Sequence, residues 1–233
     1  MPDASHLPDP TVRNVYWRTF QFVMQSVFCF WMGYRARGLE HLPDEGALLL
    51  INHQSFLDPL LVGLPLSRPV SFLARDDLFR VPVVGHILRN TYVMPINREA
   101  ASTASLREAI RRIDHGFYVG IFPEGTRTLD GLVGELKPGF LALLRRTKAP
   151  VIPVGVAGAF EAFPKGTPFP LPGRIRVVFG APFDRDRLAA SGKDEEADLL
   201  RYVRERIVAC VADAQAWRDD PGTDHVAVNG DPA

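Results

Sequence analysis

The amino-acid sequence predicts an α/β fold in which helices flank a mainly parallel central sheet. Short apolar runs, which predict buried strands, alternate along the chain with segments of helical periodicity. This alternation is typical of layered α/β domains, where helices connect strands that run parallel. The chain has 233 residues, 46% of them hydrophobic, which is enough for a sizeable core and excludes a disordered protein.

The predicted elements follow one another at short intervals. We expect strands at 47–51, 70–74, 91–96, 118–122, 151–156 and 175–179. We expect helices at 58–66, 81–88, 102–115, 141–146 and 195–217. The stretch 36–46 contains glycine and proline and is expected to be a connector. These elements form a predicted domain over residues 36–218.

An aromatic-rich segment at residues 12–35 precedes this domain. Polar residues interrupt its apolar side chains, so no run reaches the roughly 20 apolar residues that cross a bilayer. Arginines lie towards its two ends, at Arg13 and Arg18 and at Arg35, with Arg37 just beyond it. This layout predicts a helix that lies in the interface of a membrane, with a helix packed in the core of its own domain as the alternative.

The two termini have the composition of flexible segments. Residues 1–11 are rich in proline and are expected to be a flexible lead-in. Residues 219–233 are acidic, contain glycine and proline, and are expected to be a disordered tail.

Charge and cysteine content argue against two classes of partner. Lys and Arg number 27, as do Asp and Glu, and no nucleic-acid-binding module appears, so we expect no nucleic-acid partner. Cys29 and Cys210 lie far apart without metal-ligand spacing, so we expect no metal site and a reduced, cytosol-facing protein.

A histidine and an aspartate follow the first predicted strand of the domain. His53 comes two residues after the strand, and Asp58 lies five residues further on, directly before Pro59. Since Pro59 suits the first position of a helix, we expect Asp58 to be its N-cap. A tight turn would bring Asp58 onto the His53 ring, where its carboxylate fixes the tautomer and leaves the other ring nitrogen basic. The pattern predicts a general base, with a purely structural pair as the alternative.

A second polar group follows the strand at 118–122, again where open α/β sheets place ligands. Gly125 lets the backbone approach an anion, and the Arg127 guanidinium suits a phosphate. Glu124 would repel a phosphate, so we expect it to hold an arginine or a hydroxyl group. Arg98, after the strand at 91–96, and Lys137 add positive charge. Together these residues predict an anion site.

These blocks together resemble the glycerolipid acyltransferases, in particular the bacterial 1-acylglycerol-3-phosphate acyltransferases. The blocks are the HX4D motif from His53 to Asp58, the strand that ends at Arg98, the segment 122–128 and the segment 151–154, and the resemblance covers roughly residues 36–183. It implies a glycerol-3-phosphate acyltransferase-like fold, a catalytic dyad of His53 and Asp58, and an acyl-donor side near residues 151–154. The residues implied to bind the glycerol phosphate of the acceptor are Arg98, Glu124, Gly125, Thr126, Arg127 and Lys137.

The implied reaction moves a fatty acyl group from acyl-CoA or acyl carrier protein to the free hydroxyl of 1-acylglycerol-3-phosphate, giving phosphatidic acid for phospholipid synthesis. His53 takes the hydroxyl proton, so no cofactor, metal or covalent acyl-enzyme is required. Backbone amides near His53 are expected to stabilise the tetrahedral oxyanion. The expected location is the cytoplasmic face of the cell membrane, with peripheral attachment to its lipid surface.

Two other functions stay open on the sequence alone. A sister acyltransferase would use the same dyad with another acceptor, such as glycerol phosphate, another lysolipid, an acyl-ornithine or a glycolipid. A non-catalytic membrane-binding module would keep only the fold. The presence of Arg98 and Arg127 favours a phosphate-bearing acceptor, and the presence of both dyad residues favours an enzyme.

Overall fold

Seven strands in the described part of the chain form one mainly parallel sheet. The computed structural model describes residues 7–12, 14–96, 103–164, 167, 169–190 and 195–220. The strands are β1 (Arg35–Arg37), β2 (Ala47–Ile51), β3 (Val70–Arg75), β4 (Met94–Ile96), β5 (Tyr118–Ile121), β6 (Val151–Ala157) and β7 (Arg176–Phe179). Their order is β1-β7-β6-β2-β5-β3-β4, and β6 and β7 pair antiparallel while the other neighbours pair parallel.

Helices cover both faces of the sheet. They are α1 (Val15–Trp31), α2 (Asp58–Gly63), α3 (Pro82–Asn90), α4 (Thr103–Asp114), α5 (Leu141–Arg146), α6 (Ala159–Ala162), α7 (Arg185–Ala190) and α8 (Glu196–Asp219). Single 3-10 turns lie at Leu39–His41, Asp76–Arg80 and Pro138–Phe140. Side chains from α1, α2 and α6 pack into the apolar layer on one face, and those from α4, α5, α7 and α8 into the layer on the other.

The central strand β2 shows why this sequence forms a doubly covered sheet. Its residues are uniformly apolar and have no exposed surface. Because side chains alternate along a strand, Leu49 and Ile51 enter one apolar layer while Leu48 and Leu50 enter the other. A continuous apolar run is typical of strands that are buried on both faces.

The predicted α/β class and each predicted strand and helix of the domain are confirmed in position, with shifts at their ends. The connector prediction for 36–46 is wrong in part, because Ala36 and Arg37 belong to β1. The strand predicted at 91–96 starts only at Met94, since Tyr92 has a φ of 63° and leaves extended geometry. Helices α6 and α7 were not predicted.

Helix α1 is packed against the domain along one face. Its N-cap Asn14 accepts a hydrogen bond from the Trp17 amide at 2.6 Å. The buried Gln21 side chain donates to the carbonyl oxygens of Leu64 at 2.6 Å and Leu66 at 2.9 Å, at the end of α2. In the described residues, no helix is both long and apolar enough to cross a bilayer.

The described residues include parts of the two terminal segments. Residues 7–12 form a turn in which the Thr11 amide donates to Asp9 Oδ1 at 2.8 Å. Helix α8 continues to Asp219, so the predicted start of the tail is too early. The remaining parts of the two predicted terminal segments, residues 1–6 and 221–233, lie outside the described residues.

Candidate active site

Two loops leave the same edge of the sheet side by side. Strands β2 and β5 pair in parallel with Leu50 opposite Ile121, so the segments that follow the two strands leave the sheet next to each other. The Asn52 side chain continues the hydrogen bonding between β2 and β6, which is the other neighbour of β2. Its Oδ1 accepts from the Val156 amide at 2.7 Å, and its Nδ2 donates to the Val156 carbonyl at 3.0 Å. Asn52 thus fixes the point at which the chain turns away from the sheet.

Asp58 closes the turn formed by residues 52–58, which we call the His53 turn. Its Oδ2 lies 2.8 Å from His53 Nδ1, and it accepts hydrogen bonds from the amides of Gln54 and Ser55, both at 2.7 Å. The side chain is fully buried. Burial raises the pKa of Asp58, while the hydrogen bonds from His53, Ser55 and Gln54 act in the opposite direction.

The predicted contact between His53 and Asp58 is therefore present, but the predicted N-cap role of Asp58 is wrong. Asp58 is the first residue of α2, and the cap residue is Leu57, which has helical backbone angles. The Asp58 carboxylate points back to the amides of Gln54 and Ser55, in the turn before the helix. It therefore organises the turn that precedes the helix.

The His53 ring is held at the edge of this buried cluster. It stacks on Phe122 with ring centroids 4.0 Å apart and an angle of 22° between the planes. Its side chain is 19% exposed, in contrast to the fully buried Asp58. With Nδ1 directed to Asp58, Nε2 is the nitrogen left for a substrate proton.

Glu124 binds backbone, contrary to expectation. Its Oε1 accepts from the His53 amide at 2.8 Å, and its Oε2 accepts from the Gly134 amide at 2.9 Å. Burial raises the pKa of Glu124, and these two hydrogen bonds partly offset that rise. Among the described residues, the Glu124 oxygens bind two amides and no arginine, so the expected arginine partner is not found there, while a hydroxyl partner stays a prediction.

The predicted anion residues lie in the loop formed by residues 122–137. Gly125 has a φ of 69°, and a Cβ added there would lie 3.4 Å from Lys137 Nζ, so the lysine side chain lies over the glycine. Thr126 is exposed and Arg127 is half-buried. The two ends of this loop are joined by a hydrogen bond from the Lys137 amide to the Pro123 carbonyl at 2.9 Å.

Arg98 cannot be placed beside these residues, because residues 97–102 lie outside the described part of the chain. The strand before it, β4, is described and forms the edge of the sheet next to β3.

Three amides of the His53 turn already have acceptors within the protein. The amide of His53 donates to Glu124, and those of Gln54 and Ser55 donate to Asp58. Because each of these N–H groups already has a carboxylate acceptor, a donor to the oxyanion has to come from another group.

Several residues that shape the site were not predicted as such. Gln54 Nε2 donates to the Gly131 carbonyl at 2.8 Å, and Ser55 Oγ donates to the Phe163 carbonyl at 3.0 Å. The Thr128 amide donates to the His53 carbonyl at 2.8 Å. In the sequence, the polar side chains inside the HX4D motif were the signal that could have indicated these contacts. Among the described residues, no three His, Cys, Asp or Glu side chains come together as a metal site.

Comparison with known proteins decides the family. A family model described as Acyltransferase matches residues 33–157, which is more than half of the chain and includes the His53 turn and the 122–137 loop. The chain belongs to the Acyltransferase family.

Three relatives of this acyltransferase chain, two from bacteria and one from a plant, are named 1-acyl-sn-glycerol-3-phosphate acyltransferase. The Pseudomonas aeruginosa relative is 30% identical over 210 residues, covering 84% of this chain and 78% of the relative. The Bacillus subtilis relative is 27% identical over 181 residues, covering 75% and 86%. The chloroplastic BAT2 relative of Brassica napus is 32% identical over 175 residues, and the chain spans only 51% of its length.

A solved structure confirms the predicted fold. The crystal structure of the 1-acyl-sn-glycerophosphate (LPA) acyltransferase PlsC from Thermotoga maritima matches with a TM-score of 0.72 and 28% identity. The match covers 85% of this acyltransferase chain and 79% of the other. The resemblance inferred from the motifs is therefore confirmed at the level of family and fold.

We predict that the two members of the His53–Asp58 pair differ in their contribution to stability. Asp58→Ala leaves two buried amides without an acceptor, and each such group costs about 1–3 kcal/mol. His53→Ala leaves Asp58 with both amide donors. Thermal unfolding should show Asp58→Ala less stable than His53→Ala by about 2 kcal/mol, with Asp58→Asn between them because it keeps an acceptor oxygen. Equal melting temperatures for the two alanine variants would contradict the role of Asp58 in the turn.

Proposed function

We propose that this protein transfers a fatty acyl group from an acyl thioester to the free hydroxyl of 1-acylglycerol-3-phosphate, giving phosphatidic acid. The observation that carries the proposal is the 2.8 Å contact between His53 Nδ1 and Asp58 Oδ2, on a histidine that keeps an exposed edge. This arrangement supports a general base, with Asp58 orienting the ring and stabilising the imidazolium.

The serine in the His53 turn is a poor nucleophile candidate. Ser55 has no exposed surface, and its Oγ donates to the Phe163 carbonyl. A direct transfer without an acyl-enzyme therefore fits the site better. In it, His53 Nε2 takes the proton of the acceptor hydroxyl while the oxygen attacks the thioester carbonyl carbon. The tetrahedral intermediate then expels the thiolate, which recovers the proton from the imidazolium.

The acceptor phosphate is proposed to bind at the 122–137 loop. Lys137 lies over Gly125, and Arg127 lies one residue before Thr128, whose amide is bonded to the His53 carbonyl. The loop that carries these two positive side chains is thus hydrogen-bonded to the backbone of His53. A phosphate bound there would place the acceptor hydroxyl close to the His53 ring. The names of the relatives support a glycerol phosphate acceptor. A contribution from Arg98 stays a prediction, as does the choice between acyl-CoA and acyl carrier protein as donor.

Helix α1 is proposed to attach the protein peripherally to the cytoplasmic face of the membrane. Opposite its packed face, six large apolar side chains are exposed, at Val15, Phe22, Val23, Val27, Phe30 and Trp31. Phe30 is 94% exposed. Such a face suits insertion into the headgroup region of a lipid surface, where acceptor and product would reside.

Thiol release from an acyl-CoA tests the proposed reaction. The purified protein should release thiol with 1-acylglycerol-3-phosphate and far less with glycerol 3-phosphate or lysophosphatidylcholine. Because the base is lost, His53→Ala should reduce kcat by about 100-fold or more. The matched control His115→Ala, which alters an exposed histidine, should retain activity. If no thiol is released from acyl-CoA, the same assay is run with an acyl thioester of acyl carrier protein as the donor. Transfer only to another acceptor would overturn the proposed substrate, and full turnover by His53→Ala would overturn the mechanism.

Vesicle sedimentation tests the role of α1. The double variant Phe22→Ser, Phe30→Ser removes two exposed aromatic side chains and should weaken binding to phosphatidylcholine–phosphatidylglycerol vesicles by about tenfold or more, since burying each apolar side chain contributes about 1.5–3 kcal/mol. A control with Leu39→Ser and Val208→Ser changes exposed apolar residues outside α1 and should bind like the wild type. Equal binding by the two double variants would contradict the proposal.

A further inference from the structure

The Glu124 carboxylate joins two segments that are distant in sequence. One oxygen accepts from the His53 amide at 2.8 Å and the other from the Gly134 amide at 2.9 Å. The residue is only 5% exposed. A Cβ added at Gly134 would lie 3.2 Å from Oε2, which shows how closely the carboxylate packs on this backbone.

The same loop also holds the other side of the His53 peptide. The Thr128 amide donates to the His53 carbonyl at 2.8 Å, so the N–H and the C=O of His53 are both bonded to residues of the 122–137 loop. This loop carries Arg127 and Lys137, the proposed phosphate contacts. A shift of the loop would therefore move the backbone of the base.

We infer that Glu124 is a positioning residue, whose carboxylate fixes the His53 backbone relative to the loop that binds the acceptor. The inference rests on the proposed function and refines it, because Glu124 then acts through His53 and does not itself bind the acceptor. A carboxylate suits this task because it offers two acceptor oxygens and makes charge-assisted hydrogen bonds, which are roughly twice as strong as neutral ones.

Glutamate meets two requirements: it has two acceptor oxygens, and it is long enough for these to reach both amides. Glutamine has the same length but only one acceptor oxygen, so one of the two amides would face an NH2 group. Aspartate keeps the charge but is one methylene shorter, so it cannot span the two amides from the same backbone position. Glu124→Gln therefore removes the charge and one acceptor oxygen at constant length, whereas Glu124→Asp keeps both and shortens the side chain.

Kinetics with a short-chain, monomeric 1-acylglycerol-3-phosphate distinguish positioning from binding. Glu124→Gln should lower kcat by about 10- to 100-fold, because a misplacement of 1 Å in a catalytic group costs up to about 100-fold. The dissociation constant of the acceptor, measured by calorimetry without donor, should stay within about twofold. Glu124→Asp should likewise lower kcat and leave the dissociation constant of the acceptor unchanged. The control Glu161→Gln, which alters an exposed carboxylate paired with Arg218, should behave like the wild type. A weakened dissociation constant with unchanged kcat would overturn the inference.

A second readout does not depend on activity. With selective ¹⁵N-histidine labelling, the backbone amide of His53 can be assigned among the six histidines by its loss in His53→Ala. Its proton resonance should shift in Glu124→Gln and stay in place in Glu161→Gln. An unchanged resonance in Glu124→Gln would overturn the contact. Failure of the wild type to use any acceptor would count against the proposed function alone, and this measurement would still decide the role of Glu124.

Discussion

The site depends on one carboxylate oxygen, Asp58 Oδ2. It lies 2.8 Å from Nδ1 of the His53 ring and accepts hydrogen bonds from two backbone amides at 2.7 Å, so the same atom fixes the shape of the turn and the orientation of the ring. A buried carboxylate is costly unless it is well bonded, and here the strand-to-helix turn provides the donors. The geometry of the pair is thus built into the backbone of the turn, which explains why a histidine and an aspartate five residues apart are in contact.

A second buried carboxylate connects this turn to the rest of the fold. Glu124 is 71 residues from His53, and the two meet because β2 and β5 are adjacent parallel strands. Both acids bind backbone amides, and burial raises the pKa of both. The sheet edge therefore carries two carboxylates whose burial raises their pKa and whose local N–H donors act against that rise. This balance is typical of sites in which function is supported at some cost to folding.

The sequence predicts best those features that depend on neighbours in the chain. Strand β2 was predicted with its observed bounds because five consecutive apolar residues can only be buried. The dyad contact was predicted because both residues lie in one turn. Strand β1 was missed because Arg35, Ala36 and Arg37 have no apolar pattern and become a strand only by pairing with β7. The partners of Glu124 were missed for a similar reason, since strand order decides them and periodicity does not reveal strand order.

The central claim is that Asp58 holds His53 in the tautomer that leaves Nε2 as the base. The most direct test is the ¹⁵N chemical shifts of the His53 ring in the ¹⁵N-histidine-labelled protein, recorded at a pH where the ring is neutral. The account predicts a protonated Nδ1 and an unprotonated Nε2 in the wild type, with this preference weakened in Asp58→Ala. A proton on Nε2 in the wild type would contradict the account, because the nitrogen left for the substrate could not then accept its proton.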